Sequence, residues 1–419
     1  MDKKLKIIHL SYADKHGGGA ARASWRIHES LLSIGVDSKM LVWDTRMKNP
    51  SIFKFFKGKS EKLKFFKFYL FKFLSQKIIG LMKSNNTTLH SINRFGLITA
   101  KNINKLNGDI IHIHWIGSEF IKIEELKKIK KPIVFHLHDL WLLLGSEHYP
   151  LNKNDERYKL GYSKKSRHKN HKGIDVDRKT YIRKNKNFKN VKVNIISTTS
   201  WLNSYVENSS LFNEINSIVI PCPIDLNVFK PLDKTLTRKV LNLSLENKIV
   251  LFGALAATSD QRKGFHLLLD SLRKINNKFT NIEIIVFGSD TPDNAPDFGF
   301  KTTYVGQIFD EITLALYYAT ADVFINPTLM EAFGQTTLES ICCGTPVVAY
   351  DYSGTTDIIE HKKNGYLAKP FSTEDFALGI EFCLKEELKE QLRENCIKKS
   401  KNYEKSKIAL QLKNFYESI

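Results

Sequence analysis

Cysteine is scarce and unpatterned. Cys222, Cys342, Cys343, Cys383 and Cys396 show neither metal-ligand spacing nor an even disulfide framework, which excludes a stapled secreted domain and fits a reducing cytoplasm. No stretch of about 18 uncharged apolar residues occurs, so no membrane span is expected. The opening MDKKLKIIHLSYADKHGGG has an apolar stretch of only about five residues, too short for a secretion signal, and reads as a buried strand. No internal repeat at a fixed period is visible, which argues against solenoids and propellers.

What is present is a chain of 419 residues, 42% hydrophobic and 26% charged, long enough for two domains of about 200 residues each. Its formal net charge of +20 is unevenly spread: residues 1–220 hold 41 Lys+Arg against 18 Asp+Glu, whereas 221–419 hold 23 against 26. The basic field therefore belongs to the first half. Such a field attracts an anionic surface, either phospholipid headgroups or nucleic acid phosphates.

Short apolar runs alternate with helix-length segments: LKIIHLSY, SKMLVW, DIIHIHW, PIVFHLHD, VNIISTT and SIVIPCP, then KIVLFGAL, IEIIVFGS, DVFINP and TPVVAY. Continuous apolar strands of this kind are buried on both faces, as in parallel sheets covered by helices. Two such series predict two doubly wound α/β units, with a proline-rich linker near 221–235. Two segments break the alternation. Residues 53–83 carry nine Lys and one Glu among many Phe, Leu and Ile, and predict a basic amphipathic helical insertion. Residues 151–190 are polar and strongly basic, and read as a mobile loop.

Three places suggest chemistry. Gly17, Gly18 and Gly19 lead from the first strand into a helix, where backbone N–H groups can approach a phosphate; an ordinary tight turn is the alternative. Arg262, Lys263 and Gly264 open a second helix, either as a cationic clamp for a diphosphate or as solvated charges. In DVFINPTLMEAFGQTTLESICCGTPVVAYDYSGTTD, Glu331 and Glu339 lie eight residues apart, with Gly334 turning the backbone into a helix. Carboxylates suit sugar hydroxyls and a helix N-terminus suits phosphate, the combination a nucleotide sugar needs.

These pieces, with HDLW, GSEHYP, STTSWL, PCPIDLNVFKP, YVGQ and NGYLAKP, resemble glycosyltransferase family 4, over about residues 5–385. The resemblance is greatest to the branch acting in colanic-acid or O-antigen assembly. It implies an α/β GT-B fold of two facing Rossmann-like doubly wound domains with an interdomain cleft. The domains would be 1–225 for the acceptor, 235–399 for the donor, and a helix at 400–419 packing back on the first. The implied activity is retaining transfer of a hexose from a nucleotide-diphosphate sugar, metal-independent, to a saccharide or lipid-linked saccharide.

Residue by residue, the resemblance implies that Glu339 holds the ribose, and that Glu331, Phe333, Gly334 and Gln335 bind the transferred sugar. Arg262 and Lys263 would bind the diphosphate, with Gly18 and Gly19 facing it. Val305 and Gly306 would line the base, and His138 would sit over the donor sugar. Catalysis would rest on His138, Lys263 and Glu331. Two departures stand out: Gln335, Thr336 and Thr337 replace a commoner aliphatic pair, and SGTT at 353–356 replaces a double glycine.

Rival readings are weaker. His112, His114, His136 and His138 form two H-x-H pairs, but no further cluster completes a metal site, so none is expected. Asp175 and Asp177 read as solvated loop charges. The basic segment fits a peripheral contact with the anionic inner face of the cell membrane better than nucleic acid, for which no module is seen. The alternatives are a membrane- or nucleic-acid-binding protein without transferase activity, or a nucleotide-sugar epimerase of the same fold.

Overall fold

The computed structural model describes residues 4–45, 47–56, 61–189, 191–253 and 260–419. Residues 57–60 of the basic segment, Asn190 of the expected loop and 254–259 after KIVLFG lie outside the described residues. The chain forms two compact units, Met1–Pro223 with Ile408–Ile419, and Ile224–Lys407.

The first unit is built on seven parallel strands: β1 (Lys6–Ala13), β2 (Asp37–Asp44), β3 (Ile52–Lys54), β4 (Ile110–Ile113), β5 (Ile133–Leu137), β6 (Val193–Ser197) and β7 (Ser217–Val219). Their order is β3-β2-β1-β4-β5-β6-β7. The second unit has six: β8 (Lys248–Gly253), β9 (Ile282–Phe287), β10 (Lys301–Tyr304), β11 (Val323–Asn326), β12 (Val347–Tyr350) and β13 (Gly365–Ala368), ordered β10-β9-β8-β11-β12-β13. In both, the order reverses beside the first strand. That is the Rossmann arrangement, and ligands bind beyond the strand C-termini at that reversal.

The central strands are buried on both faces because helices cover each side. In the first unit, Ile27 and Leu31 of helix α1 (Gly19–Ser33) meet Ile7, Ile110, Val134 and Ile196. Ile408, Leu412, Phe415 and Tyr416, near the end of the chain, complete the same core. The second unit packs Val250, Phe252, Ile284, Val323, Ile325 and Phe376 into a dry aliphatic and aromatic centre.

The basic segment is helical over α2 (Glu61–Gly80), while Phe53 and Lys54 belong to edge strand β3. The helix is not simply amphipathic. Phe68 is buried and Phe65, Phe71, Ile78 and Ile79 are half-buried on one side. Leu63, Phe66, Leu70, Phe73 and Leu74, at helical spacing on the other side, are exposed. Two opposed apolar stripes, with lysines between them, replace the single stripe expected.

Residues 151–189 are not one continuous loop, because Arg157–Leu160 and Val176–Phe188 are helical. Helix α3 (Val176–Phe188) starts where the Asp175 side chain accepts from Arg178 N, and it buries Val176, Tyr181 and Phe188. Lys184 is also fully buried. Its ammonium donates to the carbonyls of Leu144 (3.1 Å), Gly145 (2.7 Å) and Trp141. The acidic pair is not solvated either: Asp177 is 2% exposed and accepts from Ser146 Oγ at 2.5 Å, and Asp175 pairs with Arg157 at 3.1 Å. The polar composition that suggests a loop instead serves a buried network that sets Lys184 against carbonyls, Asp177 against Ser146 and Asp175 against Arg157.

Candidate active site

In the second unit the strand ends of β8 and β11 bring three sequence motifs together. Asp260 caps a tight turn over Gln261–Lys263 by accepting from Arg262 N, and it pairs with the Arg262 guanidinium at 2.9 Å. Gly264 follows with φ +68°, and a β-carbon there would collide with the Pro327 carbonyl. The turn is bonded to the loop after β11 in both directions: Leu329 N donates to Arg262 O at 2.7 Å, and Arg262 Nη1 donates to Met330 O at 2.7 Å. Lys263 Nζ then lies 3.2 Å from Glu331 Oε2. Burial pushes the Glu331 carboxyl up, but the Lys263 and Arg262 charges outweigh it and hold the group below its usual range.

Gly334, at φ +95°, starts helix α4 (Gln335–Cys342). Its N-terminus, carrying about half a positive charge, thus opens three residues from Glu331. Phe333 is buried beneath, edge-on to Tyr403. Arg262, Lys263, Glu331, Gly334 and Gln335 therefore form one contiguous group. Val305 and Gly306 lie at the end of β10, tied to the end of β9 by Val305 N to Val286 O and Gly288 N to Gly306 O. Glu339 sits one helical turn further in, fully buried, and accepts from the Tyr318 hydroxyl at 3.0 Å.

Two contacts of this group go beyond the sequence reading. Ser353, in the left-handed region at φ +70°, accepts from Glu331 N through its hydroxyl, and Gly354 N donates to Glu331 O. The SGTT segment thus clamps the backbone of Glu331 from both sides. Tyr318, which holds Glu339, is 21 residues away in sequence and carries no motif.

In the first unit the reversal lies between β1 and β4. Gly18 has φ +95° and caps α1, while a β-carbon on Gly17 would strike Ala13. Asp14 shapes the turn by accepting from His16 N and Thr45 Oγ1. His138 follows β5 and is half-buried. Burial brings its imidazole down to about 4, against the pull of Asp139, so the ring is neutral near pH 7.

The H-x-H pairs do not stand alone, as the sequence suggests. His9 on β1 pairs in register with His112, and nitrogens of His9, His112 and His114 lie within 4.8 Å of one another. Hydrogen bonds join His9 to His114 and His114 to His138, both at 2.9 Å, and join His136 to His112 at 3.2 Å and His112 to Tyr416 at 2.7 Å. His28 binds Ser38 and Ser51.

Residues 233–403 match the family model Glycosyl transferases group 1. The phosphatidyl-myo-inositol mannosyltransferase of Mycolicibacterium smegmatis is 28% identical over 183 residues, 42% of this chain and 46% of the relative. The chain spans well under half the length of the curated relatives it matches, 43%, 38% and 40% in three further cases. Sucrose-phosphate synthase from Thermosynechococcus elongatus matches 99% of each chain at a TM-score of 0.69 and 19% identity. Anabaena HepE, solved with UDP and glucose, matches 99% of this chain and 100% of its own at 0.64 and 17%. Residues 233–403 accordingly fall with the group 1 glycosyl transferases, and the chain has along its whole length the fold of two Rossmann-like units seen in these solved structures.

Proposed function

We propose that the protein is a retaining glycosyltransferase of family 4 that moves a hexose from a nucleotide-diphosphate sugar to a saccharide acceptor in surface polysaccharide assembly. The observation that carries this reading is the Arg262–Lys263–Glu331 group set against the N-terminus of α4. A departing diphosphate requires fixed positive charge, which the two side chains and the helix end supply; the transferred sugar requires a carboxylate acceptor, which Glu331 supplies. In the reaction the anomeric C–O bond to phosphate breaks and a bond to the acceptor hydroxyl forms on the same face. The acceptor's proton passes to the leaving phosphoryl oxygen. Charge stabilisation is provided by side chains, so no metal enters the scheme. Glu339 is assigned to the ribose and Val305 and Gly306 to the base; within the first unit, Gly18, Gly19 and His138 are assigned to substrate.

The acceptor is lipid-linked, and α2 attaches the protein to the anionic inner face of the cell membrane. Its second apolar stripe, Leu63, Phe66, Leu70, Phe73 and Leu74, is uncovered within its unit and flanked by lysines, the pattern of a helix lying in a bilayer interface. Among the described residues no helix is long and apolar enough to cross a membrane. Sedimentation with anionic liposomes at low salt tests this. Binding should vanish when Leu63, Phe66 and Phe73 become Ser, and persistence in that variant would refute it.

The central test is thermal unfolding of the full chain with UDP, GDP, ADP, CMP or dTDP, without added metal. One nucleoside diphosphate at about a hundred times its Kd should add about 2.7 kcal/mol of stability, and Lys263→Ala should remove most of that gain. No shift with any nucleotide in a folded sample would overturn the transferase reading.

A further inference from the structure

A chain of three imidazoles in the first unit ends at His138. His9 Nδ1 lies 2.9 Å from His114 Nε2, and His114 Nδ1 lies 2.9 Å from His138 Nε2. A neutral imidazole has one N–H and one bare nitrogen, so each contact needs a donor facing a bare nitrogen. Only two senses satisfy both contacts at once. Either all three rings carry the proton on Nδ1, or all three carry it on Nε2.

The inner end distinguishes them. His9 is fully buried, and its Nε2 meets no hydrogen-bond partner among the described residues. Protonated there, His9 would bury an orphaned donor, which folded proteins rarely tolerate; protonated on Nδ1, it leaves only a bare lone pair. The neighbouring pair repeats the pattern. His136 Nε2 is also buried without a hydrogen-bond partner among the described residues, while its Nδ1 faces His112 Nε2. At the outer end, His138 Nδ1 makes no hydrogen bond among the described residues, and the ring is half-buried.

We infer that His9 and His114 are positioning residues that fix His138 as a neutral Nδ1–H donor, so the substrate group it meets is an acceptor oxygen of a sugar hydroxyl or a phosphoryl group. His138 is then unavailable as a general base, because its bare nitrogen is occupied by the His114 N–H. The inference deepens the proposed function, on which the presence of a donor at His138 rests; the tautomer itself is measured without any substrate.

The experiment is nitrogen NMR of the full chain labelled with ¹⁵N-histidine, resolving protonated from bare ring nitrogens. The expected result is His138 with Nδ1–H favoured by about tenfold or more over Nε2–H, the value of one hydrogen bond. His114→Leu should shift the majority to Nε2–H, the form free histidine prefers, and His114→Asn, which keeps an N–H near the Nδ1 position, should restore Nδ1–H. A wild-type His138 protonated on Nε2, or a tautomer unmoved in a folded His114→Leu variant, would overturn the inference. So would one equivalent of zinc or nickel in the purified chain bound at His9, His112 and His114, since such an ion consumes the nitrogens of the relay. Should His114→Leu fail to fold, the wild-type spectrum decides alone. Absence of any nucleotide-induced thermal shift alongside the stated tautomers would fell the transferase reading and leave the relay standing.

Discussion

On one face of the first unit's sheet, β1 carries His9 and β4 carries His112, with His114 just beyond β4 and His136 and His138 on and just beyond β5. In the second unit the corresponding strands β8 and β11 carry Val250, Phe252, Val323 and Ile325. The same strand order thus carries hydrogen-bonded imidazoles beside Ile7, Ile110 and Val134 in one unit, and close-packed hydrocarbon in the other. A dry core gains stability from burial and tolerates little loss of volume; a polar core is held by directional bonds whose partners must all be present. The division extends to the titratable groups. Eleven of the 13 histidines lie at or before residue 171, which makes the first unit the acid-sensitive one.

The largest expected effect exploits that asymmetry. Burial lowers His9, His112, His114 and His136, and brings His28 to about 4. A histidine whose folded pKa is depressed contributes stability that is complete above its unfolded value, near 6.5, and is lost as pH falls from there through the folded value. His28 alone corresponds to about 3 kcal/mol. All five tryptophans, Trp25, Trp43, Trp115, Trp141 and Trp201, belong to the first unit, whereas four of the five buried cysteines belong to the second. Tryptophan fluorescence should therefore report unfolding between about pH 6.5 and pH 4, before thiol labelling reports it for Cys342, Cys343, Cys383 and Cys396. Simultaneous transitions would break the comparison.

Next in size is the dry core. Phe252→Ala should cost about 3–5 kcal/mol, read as a lowered denaturant midpoint for thiol exposure, because the cavity cannot refill. A third test concerns chemistry. Lys263→Ala removes one charged contact and should lower turnover at least about tenfold with the fold intact, and wild-type turnover would take Lys263 out of the mechanism. The smallest effect is expected of Ser353→Gly, which relieves a left-handed serine but deletes its bond from Glu331 N. Stability should change by less than about 1 kcal/mol, while a rise in KM would show that the clamp on Glu331 matters for binding.

The fold class was legible because buried parallel strands are continuous apolar runs, and those ten runs are strands here. The three strands that escape, β3, β10 and β13, all lie at sheet edges. Edge strands are short or half-exposed; Lys301–Tyr304 has no apolar run to notice. The histidine layer was half legible. H-x-H spacing marks His112 with His114 and His136 with His138, but only strand register, across 105 residues, brings His9 to His114. Residues 151–190 misled for the opposite reason. Hydrophobic patterning cannot announce a buried segment whose partners are carbonyls and counter-charges, as with Lys184 and Asp177. In the second unit, the motif residues Arg262, Lys263 and Glu331 are visible in sequence, whereas their supports, Asp260, Ser353 and Tyr318, are ordinary residues made relevant by geometry.

The placement of Ile408–Ile419 in the first unit has a consequence for synthesis. Ile408, Leu412, Phe415 and Tyr416 complete a core whose other members are finished by Ile220, so the earlier residues must wait for them. At ribosomal rates of about 5–20 residues per second, the delay is roughly 10–40 s, during which the whole second unit emerges and has time to fold. The part of the protein made first is thus the last to be sealed, and in that interval its unfinished apolar face is exposed to chaperones.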